Sequence, residues 1–195
     1  MKLRPLGIEG AWEVTPSPHE DARGSFLEWY RHDRLAAAIG RRLPVAQANL
    51  STSRRGVVRG IHYADVPPGQ AKYVTCVRGA VWDVVVDLRR GSPTFGRWEP
   101  VRLDDVDRRA VFLAEGLGHG FCALTDGATV AYLCSTVYRP AAEHAVDPLD
   151  GRLGISWPVA EPILSERDAT APGLADAPLP AYADCLAQYR VSPAA

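Results

Sequence analysis

Eight short runs rich in β-branched and aromatic residues, each closed by a turn signal, constrain this chain more than any other feature. PVAQANLS, GVVRGIHY, AKYVTCV, AVWDVVVDL, RWEPVRL, AVFLA, GFCAL and TVAYLCSTVY follow one another between about residues 45 and 140. Turns are supplied by PPGQ at 67–70, RG at 78–79, RRGSPTFG at 89–96, EGLGHG at 115–120 and TDG at 125–127, since Gly, Pro and Asp adopt the backbone angles that reversals need. Such a series predicts an antiparallel sandwich or barrel. Only HDRLAAAIG near 32–40 and ADCLAQYR near 183–190 read as helical, so the expected class is mainly β with a few short helices. Beyond about residue 160, Pro158, Pro162, Pro172, Pro178 and Pro180 break every periodic pattern. A tail of about 160–195 laid over the barrel is expected there, not a second domain.

Size and charge narrow the ligand. A chain of 195 residues has the length of one domain, 1–195, and 47% hydrophobic with 23% charged residues is a soluble globular composition. A net charge of −1 gives no overall field for a nucleic-acid polymer or an anionic membrane, so an anion has to be held by a local cluster. The opening MKLRPLGIEG has no apolar run of signal-peptide length, and no stretch reaches about 18 apolar residues. A cytoplasmic protein is expected. Cys76, Cys122, Cys134 and Cys185 form no C-x-x-C pair and read as reduced core thiols.

Ionisable residues inside the predicted strands are the candidates for chemistry. Arg59 and His62 lie in VVRGIHY, Lys72 in QAKYVTCV, and Asp83 and Asp87 in AVWDVVVDL. A purely apolar interior would make each of them costly, and a polar-lined cavity removes the cost. Twenty of the 22 basic residues are Arg, leaving Lys2 and Lys72, so an interior Lys72 is not generic surface charge. Period-two alternation sets Lys72, Val74 and Cys76 on one face, and Tyr132, Cys134, Thr136 and Tyr138 on one face of a later strand. Arg59 and His62 are three apart and share a face only if Gly60 carries a bulge. Taken singly, each residue keeps a bland alternative: His62 a hydrogen-bonded structural histidine, Tyr132 a core aromatic, Arg23 a loop arginine, His119 a turn residue.

Other chemistries lack their motifs. His62 is followed by Tyr63 and Ala64, so the H-x-H of a mononuclear metal barrel is missing, and His19, His32 and His144 are scattered. No metal is expected. Neither G-x-G-x-x-G after a strand nor G-x-x-x-x-G-K-[ST] occurs.

DARGSFLE, RGVVRGIHY, QAKYVTCVRG, DVVVDLRRGSPTFGRWE, LAEGLGHGF, AYLCSTVY and LSERDA, in this order and spacing, resemble the dTDP-4-dehydrorhamnose 3,5-epimerase family from about residue 5 to 170. The resemblance implies a cupin-like jelly-roll barrel and a cofactor-independent isomerase acting on a dTDP-4-keto-6-deoxyhexose. It implies that His62 is the general base, Asp168 its orienting carboxylate, Tyr132 the proton donor across the sugar and Lys72 the cation at the keto oxygen. Substrate contacts are implied at Arg23, Phe26, Glu28, Gln47, Asn49, Arg59, His119, Glu143 and Arg167, with Tyr138 stacking on thymine. A homodimer exchanging N-terminal segments is implied as well. Ala64, Ala114 and Leu133 stand where the rhamnose-pathway pattern has Gln, Pro and Lys. These departures resemble the branch serving secondary-metabolite deoxysugars, some members of which invert one carbon, and C3 inversion is the favoured expectation. The competing expectations are a non-catalytic cupin-like binder of sugar nucleotides and a metal-dependent cupin oxygenase.

Overall fold

Strand β8 (Ala80–Asp87) shows why this sequence builds layers. Its AVWDVVVD run is buried on both faces, which requires cover on each side of the sheet. The computed structural model describes residues 1–191; the last residues of the expected tail, 192–195, lie outside the described residues. In chain order the strands are β1 (Lys2–Pro5), β2 (Ala11–Thr15), β3 (His19–Asp21), β4 (Gly24–Phe26), β5 (Gln47–Ser53), β6 (Val58–Ala64), β7 (Lys72–Arg78), β8 (Ala80–Asp87), β9 (Trp98–Asp104), β10 (Ala110–Leu113), β11 (Leu117–Ala123), β12 (Ala128–Cys134) and β13 (Glu143–Ala145). Helices are α1 (His32–Ile39), α2 (Glu166–Ala169) and α3 (Tyr182–Val191).

Two sheets face each other, one ordered β1-β2-β10-β7-β12-β5 and the other β13-β6-β11-β8-β9, while β3 and β4 form a separate hairpin. From β5 to β8 the chain crosses between the sheets at every connection, and it does so again from β9 through β13. This double-sheet antiparallel arrangement is a cupin-like jelly roll.

The core follows the alternation. Val81 and Val85 of β8 pack with Val74, Val101, Phe121 and Val130 between the sheets. Val84 and Val86 point the other way, onto Val146, Leu153, Leu174 and Leu179 of the C-terminal segment. That segment covers the outer face of the five-stranded sheet, which accounts for the burial of β8 on both sides.

All eight runs contain a strand, but several bounds move. The β12 strand ends at Cys134, so Thr136 and Tyr138 lie beyond it. Strands β1 and β2 join the six-stranded sheet from outside the 45–140 window, and α2 and β13 arise in segments with no regular pattern. The main correction lies within EGLGHG, expected as a turn over 115–120: Glu115 and Gly116 do make a turn, with Gly116 at φ +83°, but Leu117–Gly120 form the first half of β11. Within the strand, Gly118 and Gly120 serve close approach instead of reversal. A Cβ on Gly120 would lie 2.9 Å from the Arg59 carbonyl oxygen and 3.2 Å from the Gly60 Cα, and real Cβ atoms do not pack so tightly against backbone.

Candidate active site

His62 reaches the interior through an irregularity in β6. On β11, His119 pairs with His62 and Phe121 with Arg59, so three steps on one strand match two on the other. The extra residue is a β-bulge at Gly60, as the spacing of Arg59 and His62 predicts. Gly60 has φ +139°, a region that side chains avoid, and a Cβ there would meet the Gly120 Cα at 2.6 Å.

Behind His62 stands Asp168. LSERDA folds into the one-turn helix α2, capped by Ser165, whose hydroxyl accepts from the Asp168 backbone N–H at 3.1 Å. Asp168 is buried and its Oδ1 lies 2.7 Å from His62 Nε2. Burial works against the ionised carboxylate, but hydrogen bonds from His62, Ser165 and the Gly60 backbone outweigh it and hold the acid below its usual range. An ionised carboxylate only accepts, so the neutral imidazole carries its proton on Nε2 and its lone pair on Nδ1.

The opposite wall comes from the six-stranded sheet. In β12, Tyr132 and Cys134 alternate inward, and in β7 Lys72 sits opposite Cys134. Lys72 is 8% exposed and forms no ion pair among the described residues. Its pKa is lowered, first by burial and further by Arg167, with Glu143, Cys134 and Asp83 acting against the fall. Burial pushes the Tyr132 phenol up, Cys134 and Glu143 add to this, and Arg59 opposes it. The phenol therefore stays protonated across the neutral range.

These groups line one hollow. Its outer lobe, about 410 Å³, has His62, Lys72 and Tyr132 in its walls, with Gln47, Asn49 and Tyr138 on one flank and Glu143 and Arg167 on the other. An inner lobe of about 150 Å³ shares His62, Lys72 and Tyr132 and adds Ser51, Arg59, His119 and Phe121. Arg59 is held toward β5 by Ser53 Oγ at 3.0 Å and the Thr52 carbonyl at 3.3 Å. Arg167 donates to the Glu143 carbonyl at 3.0 Å, and the Tyr138 backbone N–H to Gln47 Oε1 at 2.8 Å. His119 Nε2 lies 2.7 Å from Asp83 Oδ2, a second histidine–carboxylate pair beside the first.

Three expected contacts do not reach this hollow in their own chain. Arg23 is paired with Asp21 at 2.5 Å and lies with the 68% exposed Phe26 on the β3–β4 hairpin, beside a separate surface recess. Glu28 is exposed and pairs with Arg31 at 3.2 Å. Among the described residues the hairpin pairs only with itself, so no sheet register there ties it to the barrel. Asp87 also departs from expectation. It faces inward but lies away from the hollow, fully buried against Arg89 at 2.8 Å, Ser92 at 2.5 Å and Thr94 at 2.6 Å.

Sequence reasoning missed Ser51, Gln70 and Phe121, and it placed Cys134 among core thiols although Cys134 lines the outer lobe. Period two would have found Gln70 from Lys72 and Ser51 from Gln47 and Asn49. Among the described residues, no three His, Cys, Asp or Glu side chains gather as a metal-ion donor set, and no helix is long and apolar enough to cross a membrane.

Fold and site together define a jelly-roll protein with titratable groups facing one hollow from opposing sheets. A family model described as dTDP-4-dehydrorhamnose 3,5-epimerase matches residues 5–176, and the chain belongs to that family of isomerases. It is 65% identical over 198 residues to a dTDP-4-dehydrorhamnose 3-epimerase of Streptomyces niveus, covering 100% of this chain and 96% of the relative. Its fold matches NovW, a 4-keto-6-deoxy sugar epimerase from the novobiocin biosynthetic gene cluster of Streptomyces spheroides, with TM-score 0.93, 66% identity and 95% of each chain covered. It likewise matches ChmJ, a 3'-monoepimerase from Streptomyces bikiniensis in complex with dTDP-quinovose, with TM-score 0.93, 54% identity and 96% and 98% of the two chains covered.

Proposed function

We propose that this enzyme inverts C3 of a dTDP-4-keto-6-deoxyhexose, with His62 as base, Tyr132 as acid and Lys72 as the cation that holds the enolate. One observation carries the reading: His62 comes from the five-stranded sheet, Tyr132 and Lys72 from the six-stranded sheet, and all three line one hollow. Inversion takes a proton from one face of the sugar and returns one to the other, so it needs groups on opposite walls.

The C3 hydrogen is acidic because the C4 carbonyl adjoins it. His62 Nδ1 takes that proton, the C–H electron pair becomes the C3–C4 double bond, and the carbonyl pair moves to the C4 oxygen. The Lys72 ammonium stabilises that oxyanion where water is excluded and its field is strong. Tyr132 then delivers its phenolic proton to the opposite face of C3, the C4 carbonyl re-forms, and solvent restores both side chains. Positioned acid–base groups contribute roughly 10²–10⁴-fold each. The carbonyl is already in the substrate, so the scheme calls for no cofactor or metal. A non-catalytic binder would have no use for a base and an acid on opposing walls.

Arg59 and Arg167 are placed to offset the diphosphate locally, and the half-exposed Tyr138 ring offers thymine a flat partner. We also infer a homodimer in which Arg23, Phe26 and Glu28 serve the neighbouring copy's site; their exposure on a self-paired hairpin supports this. The packing of the C-terminal segment on the five-stranded sheet supports a single domain. Four free, buried cysteines support work in the reducing cytoplasm.

Proton NMR in deuterium oxide with dTDP-4-keto-6-deoxyglucose tests the reaction. Loss of the C3 signal with C5 retained is the expected result. Loss of the C5 signal alone overturns the C3 assignment, and no exchange at either carbon overturns the epimerase reading.

A further inference from the structure

Strand β5 turns Gln47, Asn49, Ser51 and Ser53 inward at period two, and three of the four are already engaged. Gln47 donates to Asn49 Oδ1 at 2.9 Å and accepts from the Tyr138 backbone. Asn49 contacts Cys134 Sγ at 3.8 Å, and Ser53 accepts from Arg59. Ser51 lines the inner lobe, its hydroxyl oxygen shielded from solvent and, among the described residues, without a hydrogen-bond partner. Buried hydroxyls are rarely left so, because the desolvation is uncompensated.

Sheet register fixes where that hydroxyl sits. On β12, Cys134 faces Lys72, Tyr132 faces Asn49 and Val130 faces Ser51. Along the wall the order is therefore Lys72, Tyr132, Ser51. In the function proposed above, on which this inference rests, the C4 oxygen lies at Lys72 and C3 at Tyr132, so the next ring carbon in that direction is C2. We propose that Ser51 is a specificity-determining contact that hydrogen-bonds the C2 hydroxyl of the hexose. A hydroxyl both donates and accepts, which matches a sugar hydroxyl. Phosphate oxygens are better matched by the two arginines.

The test compares the 2-hydroxy and 2-deoxy forms of dTDP-4-keto-6-deoxyhexose on the wild type, Ser51→Ala and Ser51→Thr. Deuterium uptake at C3 is followed, and dTDP binding is measured by calorimetry. The wild type is expected to favour the 2-hydroxy substrate in kcat/KM by about tenfold or more, since the 2-deoxy form leaves Ser51 unpaired. Ser51→Ala is expected to lose about tenfold on the 2-hydroxy substrate, nothing on the 2-deoxy one, and to bind dTDP unchanged. Ser51→Thr, which keeps a hydroxyl, retains the preference. Equal loss on both substrates, weakened dTDP binding (the mark of a phosphate contact) or no loss on either overturns the assignment. A wild type that exchanges neither substrate at any ring carbon strikes the epimerase reading first and this assignment with it.

Discussion

Asp83 and Asp87 sit four residues apart on the same face of β8, yet they belong to opposite kinds of interior. Asp87 is satisfied several times over. Burial opposes its charge, but Arg89, Ser92 and Thr94 overcome this and keep its pKa low. Arg89 in turn bonds Tyr189 of α3 at 2.9 Å, so the cluster locks the C-terminal helix to the barrel. Asp83 is satisfied on one side only: its Oδ2 meets His119 at 2.7 Å, while Asp83 Oδ1 and, across the hollow, Ser51 Oγ have no partner among the described residues, where buried Lys72 likewise forms no ion pair. Charges with all their partners hold the fold. Charges without them are free for a ligand, and the fold is less stable for it.

That contrast breaks most sharply at His62. His62→Ala should abolish deuterium uptake at C3, an effect of up to about 10⁴-fold, and should also lower the thermal midpoint, because buried Asp168 loses its hydrogen-bond partner; persistent uptake by the folded variant would remove His62 as the base. Lys72→Met should lower kcat by about 10²–10³ without lowering the melting temperature at neutral pH. The sign follows from Lys72's lowered pKa: the folded state binds this proton less than the unfolded chain does, so stability rises with pH between the lowered value and the ordinary 10.5. Below that window the buried ammonium opposes folding. The wild-type rate should then fall on an alkaline limb that starts below 10.5 and is absent from Lys72→Met. Identical pH–rate profiles would refute the assignment. Asp87→Asn, the smallest in its effect on rate, should cost about 3–5 kcal/mol in denaturant unfolding by unpairing Arg89. Its kcat per folded molecule should stay at the wild-type level, and a parallel loss of kcat would show that the two interiors are coupled.

Much of the site is readable only from its motifs taken together. His62, Lys72, Tyr132 and Asp168 stand in runs specific enough to name, and the series of short strands announces the sandwich. The turn expected over EGLGHG holds at Glu115–Gly116 and fails over Leu117–Gly120, because glycine signals a reversal and a close backbone approach equally well, and only the Gly60–Gly120 contact separates the two. Ser51 was missed although period two points to it, because a strand serine carries no signal until its neighbours are seen to be paired. Arg23, Phe26 and Glu28 match a motif, but a motif does not say which molecule's hollow they serve.

Sequence by itself determined the strand series, the turns and the chemical types available for acid–base work, since these depend on side-chain periodicity and short-range backbone preference. Tertiary structure decided which wall each group occupies. His62 meets Asp168 across 106 residues of chain and faces Tyr132 from the opposing sheet, and both relations are fixed by how the sheets cross and pair, which local spacing does not encode.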